Sequence, residues 1–105
     1  MEWVTIIMAV IEAIRECMKD WRSESEIVNA LMTPGPWERV VMRISIRRAG
    51  VKGRKNRQLA YDGVMARMQA ATRAEMAEFV RISITGNKKQ RNTLARDVAA
   101  TMPQS

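Results

Sequence analysis

The chain has 105 residues, enough for one hydrophobic core and too few for two. Hydrophobic residues make up 47% of it, which excludes disorder throughout, and its five aromatics against nine methionines favour helical packing over a β-sandwich. The formal charge of +7 is unevenly split: residues 1–35 hold three basic against six acidic groups, net −3, and residues 36–105 hold fifteen against five, net +10.

Glu2 to Trp21 reads as a helix. Trp3, Ile7, Val10, Ile14, Cys17 and Trp21 recur at alternating spacings of four and three, the pattern of a short coiled-coil seam. Val4, Ile6, Met8 and Ile11 make its first half apolar nearly all round, so the helix is either central in the core or shared with a second copy, a homodimer through residues 3–21. The run from Trp3 to Ala9 has no basic segment before it and is interrupted by Glu12, so neither a signal peptide nor a membrane span is expected, and the reading is a cytoplasmic protein without a membrane partner. Cys17 is the single cysteine, so no internal disulfide can form, and its apolar setting suits a buried small hydrophobe. The chain has no histidine, which removes the commonest general base and zinc ligand; no metal site and no cofactor are expected.

Ser23 and Glu26 form a capping-box pattern that starts a short helix through Leu31 and Met32. Pro34-Gly35-Pro36 ends it, where the charge changes sign. Trp37 to Ala49 fits a helix through Trp37, Val40, Val41 and Ile44, and fits a strand through Met42, Ile44 and Ile46. The same double reading holds at residues 80–85. Helix formers on the flanks favour helix in both places, with short strands at 42–46 and 80–85 as the alternative. Gly50 to Gly53 is a turn, Arg54 to Ala71 a long helix with Gly63 as a weak or closely packed point, and Thr72 with Glu75 caps the next helix. The last helix runs from about Lys89 to Met102. The fold expected is mainly α, a single compact domain of about five helices over residues 1–105, with 1–35 its acidic apolar part and 36–105 its basic repeated part.

The repeat lies in that second part. Arg43-Ile44-Ser45-Ile46 recurs as Arg81-Ile82-Ser83-Ile84, each followed by a glycine turn, a basic cluster and a Leu-Ala pair, Leu59-Ala60 and Leu94-Ala95. Read as helices, the copies are two helix-turn-helix-like units, whose second helices would present their first turns to a major groove. Arg54, Arg57 and Arg91 can fork onto guanine, and Asn56, Gln58, Gln90 and Asn92 can pair with adenine. Lys52, Lys55, Lys88 and Lys89 suit phosphates, and Arg43, Arg47 and Arg48 extend the cationic surface. Cations at a helix start oppose the helix dipole, and an anionic ligand would account for placing them there twice. Neither cluster has aromatic residues for stacking bases, so duplex DNA is favoured over single strands.

The function expected is a small non-enzymatic nucleic-acid-binding protein, a DNA-binding regulator. The alternative is an interaction or inhibitor protein that captures an acidic protein surface with its methionine-rich apolar residues. Glu24 with Glu26 and Asp62 with Asp97 are the only carboxylate pairs that suggest catalysis, and with no nucleophile, metal cluster or phosphate loop beside them, no catalytic residue is expected.

Overall fold

Residues 3–17 are apolar on almost every side, and a helix of that kind is stable only when other helices surround it. The computed structural model, which describes residues 1–17 and 23–103, builds the molecule around that helix, α1 (Trp3–Cys17). Five more follow: α2 (Glu24–Met32), α3 (Pro36–Arg48), α4 (Arg54–Ala70), α5 (Arg73–Thr85) and α6 (Lys88–Ala99). The count among the described residues is thus six where the sequence suggested about five. The short strands at 42–46 and 80–85 do not form: both segments are helical. Burial follows the helical period, with Val41, Met42, Ser45 and Ile46 buried and Ile44 exposed, and the buried Ser45 and Ser83 donate their hydroxyls to the carbonyls four residues back, Val41 at 2.8 Å and Phe79 at 2.7 Å. A serine that satisfies itself on its own helix can enter a core, and its small size admits a close neighbour.

Trp3, Ile6, Ile7, Val10, Ile11, Ala13 and Ile14 of α1 are all buried within the single chain. The four described seam residues, Trp3, Ile7, Val10 and Ile14, are therefore core residues of the monomer. Trp21 and the Cys17 side chain lie outside the described residues. Most of the core is one cluster that joins α1 to α2, α3, α4, α5 and, through Ala99, the end of α6. A smaller one, Ile7, Ile11 and Ala95 with Phe79, Leu94 and Val98 against it, binds α1 to α5 and α6. The radius of gyration, 12.6 Å, is that of one folded domain of this length, about 13 Å.

The caps follow the sequence. Ser23 with Glu26 and Thr72 with Glu75 form full capping boxes, and Asn87 with Gln90 adds a third at the start of α6. Pro36 opens α3, and the Gly35 N–H donates to Glu38 Oε1 at 2.7 Å.

Two sets of contacts fix the direction of the helices. At the first turn of α1, the Trp3 ring lies against Gly63 in the middle of α4, where an added Cβ would meet the ring at 2.5 Å. The Trp3 Nε1–H donates to the Pro103 carbonyl, just beyond α6, at 2.9 Å. Toward the other end of α1, Glu12 meets Arg91 in the first turn of α6 at 3.7 Å, and Glu16 meets Arg48 in the last turn of α3 at 3.2 Å. So α6 runs antiparallel to α1, and the start of α6 shares one end of α1 with the α3–α4 turn. Glu12 and Glu16 are one helical turn apart, on the same stripe of α1.

Candidate nucleic-acid interface

The α3–α4 connection is made by residues 49–53, where Gly50 and Gly53 adopt φ of +84° and +90°, values that a side chain would strain. Gly53 is also the N-cap of α4, so this helix starts without a side-chain cap. The amides of Arg54, Lys55 and Asn56 are left to solvent or a ligand, and the turn closes where the Arg57 N–H donates to the Gly53 carbonyl at 2.9 Å.

Where α4 packs on the end of α3, a cleft of about 400 Å³ is lined by Arg43, Ile46, Arg47, Arg54, Arg57, Gln58 and Tyr61. Four guanidinium groups thus face one cleft with no carboxylate in its lining. Arg43 lies over the Tyr61 ring at 3.8 Å and donates to Gln58 Oε1 at 3.4 Å. This cation–π contact holds the guanidinium without neutralising it. Gln58 in turn donates to Asp62 Oδ1 at 2.9 Å, just outside the cleft. The side chains of Arg47, Arg54 and Arg57 have no partner among the described residues. Lys52, Lys55 and Asn56 are exposed beside them, the Asn56 amide donating to the Lys52 carbonyl at 3.3 Å. Arg48 points the other way, to Glu16, and both of those side chains remain exposed.

The second cluster is arranged differently. Lys88 and Lys89 are exposed. The Gln90 N–H donates to Asn87 Oδ1 at 2.8 Å and its Oε1 accepts from the Asn87 N–H at 2.9 Å, so this glutamine is occupied by the cap. Arg91 is turned inward. Its side chain is 13% exposed, its Nη1 donates to the Gly86 carbonyl at 2.7 Å, and its Nε faces Glu12. Asn92 is half-buried. Of the five residues singled out here, Lys88 and Lys89 are the ones left outward and uncommitted.

The sequence-derived set is therefore divided. Arg43, Arg47, Arg54, Arg57 and Gln58 come together in one cleft, with Lys52, Lys55 and Asn56 at its margin. Arg48 and the α6 start flank the Glu12–Glu16 stripe at the same end of α1. Tyr61 was missed, and its signal was available: it is the sole tyrosine, one helical turn after Arg57, on the face of α4 that also carries Val64 and Met68. Among the described residues no group of histidine, cysteine or carboxylates could hold a metal ion, and no helix is long and apolar enough to cross a membrane. No protein-family model, curated protein or solved structure matches this chain.

Proposed function

We propose that this protein is a non-enzymatic nucleic-acid-binding protein, a regulator of duplex DNA, that grips the polyanion with the α3–α4 hairpin. The observation that carries the reading is the convergence of Arg43, Arg47, Arg54 and Arg57 on one cleft without a carboxylate. Like charges gathered this way repel one another, and a phosphate backbone relieves that repulsion while releasing its counterions. In this reading Arg43, Arg47 and Arg57 take phosphate oxygens, and the uncapped amides of α4 add to them. Arg54, Asn56 and Gln58 stand at the helix start, the part of a recognition helix that reaches base edges. Lys88 and Lys89, at the same end of α1, lengthen the basic surface.

The test is fluorescence anisotropy with duplex DNA, single strands and structured RNA over a salt series. Duplex DNA is expected to bind tightest, with log affinity falling linearly in log salt. Retention that is indifferent to salt would overturn the reading.

One observation favours a second reading, capture of an acidic protein surface. Trp37, Val40 and Ile44, spaced three and four apart on α3, are 47%, 48% and 45% exposed. They form an apolar stripe beside Arg43 and Arg47, and an acidic amphipathic helix would match both features. Loss of duplex binding on changing Arg54 and Arg57, with no effect of Trp37→Ala, would decide for DNA.

A further inference from the structure

Away from the basic helix starts, a cavity of about 330 Å³ opens between the later turns of α4, the first half of α5 and the later turns of α6. Its floor is α1, through Ile7, Val10 and Ile14, the residues whose spacing suggested a seam. Met68 and Met76 line its walls, and the half-buried Phe79 and Val98 stand among the more accessible lining residues. The polar lining includes Arg67, Glu75, Glu78 and Asp97. Three carboxylates against one guanidinium give this lining a net charge of −2, on a chain whose formal charge is +7.

Those charges are not equally free. Arg67 is held by Glu75 at 3.3 Å and by the Thr101 hydroxyl at 2.9 Å, and Glu78 is held by Arg81 at 2.6 Å. Asp97 is exposed and has no partner among the described residues. The volume limits the occupant. Small-molecule sites begin at about 300 Å³, and this one is of that size, mostly apolar, with a few polar groups.

We propose that the cavity binds a small lipophilic cation, its apolar body against the α1 floor and its positive charge beside Asp97. The apolar lining supplies affinity without regard to sign, and the acidic groups choose the sign. Nothing in this depends on the polyanion reading, because the two sites share no residue.

Tetraphenylphosphonium and tetraphenylborate, two ions of the same shape and opposite charge, provide the test by titration calorimetry. The phosphonium should bind saturably at one site and at least about tenfold more tightly than the borate, against the sign of the whole protein's charge, because one charge pair in a half-shielded site is worth about that factor. Asp97→Asn should narrow the preference by about tenfold. On the unaltered chain, the Met68 and Met76 methyl resonances should shift during the titration. Val98→Trp, which fills the cavity, should abolish binding with an unchanged circular dichroism spectrum. If that variant does not fold, the methyl shifts still place the site. Absence of saturable phosphonium binding, equal or tighter binding of the borate, or unmoved Met68 and Met76 methyls would each overturn the proposal.

Discussion

Ser45 and Ser83 hold the same place in α3 and α5, and Ala60 and Ala95 are matching fully buried alanines of α4 and α6. Around these four points the two hairpins differ. After the first, Gly53 leaves α4 without a side-chain cap and its cations face an acid-free cleft. After the second, Asn87 and Gln90 close the start of α6, and Arg91 turns in to Gly86 and Glu12. Leu59 is 52% exposed, while its counterpart Leu94 packs with the small core cluster. The comparison teaches that the repeat specifies packing. Small residues recur where helices approach closely, and the surface each copy presents is set by the cap and by the nearest carboxylate.

If α6 is a structural helix and α4 the binding helix, damage to their cores should separate stability from binding. Ile11 is fully buried and belongs to the cluster with Ala95. Ile11→Ala should cost about 2–5 kcal/mol in urea unfolding, with a melting temperature independent of protein concentration. Duplex affinity below the unfolding transition should stay unchanged. A parallel loss of affinity would mean that the α6 side carries the interface.

Removing two charges from each start makes the comparison direct. Arg54→Ala with Arg57→Ala should lower duplex affinity by roughly 60-fold at 0.1 M salt, if each arginine neutralises one phosphate, and should flatten the salt slope by about 1.8. The same charge change in Lys88→Ala with Lys89→Ala should cost less than about fivefold, since those lysines would act through screened, longer-range attraction. Equal losses would erase the distinction between the hairpins and extend the interface over both.

Single arginines sharpen it further. Arg91→Ala strips the Gly86 carbonyl of its donor and should cost about 1–3 kcal/mol of stability with little effect on binding. Arg57→Ala should move stability by less than about 0.5 kcal/mol, because its side chain has no partner to lose. Thermal melts of the two variants, read against their anisotropy titrations, give the crossed pattern. A stable Arg91→Ala with weakened binding would return Arg91 to the interface.

How much of this could be read from the residues follows from range. The capping boxes at Ser23 and Thr72, the break at Pro34-Gly35-Pro36 and the turn at Gly50–Gly53 are local, and each formed where the sequence put it. The strand alternative at 42–46 failed because period-two and helical spacing coincide over five residues. The deciding fact, that Ser45 is buried while Ile44 is left exposed, depends on which helices pack on α3. Arg54 and Arg91 look alike in sequence, each a basic residue in the first helical turn after a glycine. What separates them is Glu12, some eighty residues before Arg91 in the chain and 3.7 Å away in space. The same holds for Tyr61, whose ring gains meaning only when α3 brings Arg43 over it.

The smallest expected effect concerns acid. Glu75 closes the cap of α5, and its carboxyl is held below the ordinary value of 4.5, first by the Thr72 backbone N–H, then by the Thr72 hydroxyl and Arg67. A carboxyl lowered in the folded state adds stability above its unfolded value, and that addition is lost as pH falls through the lowered folded value. Glu75→Gln keeps an acceptor for the cap but cannot titrate. The variant should therefore melt slightly below the parent at neutral pH, with the gap closing in acid as pH falls through the lowered folded value and the parent's carboxyl is protonated. A gap of the same size at neutral and acid pH would assign the effect to packing. Amide exchange extends the test to the hairpins. Protection at the first turn of α5 should fall with acid in the parent, while the first turn of α4, which has neither cap nor carboxylate, should show no such dependence.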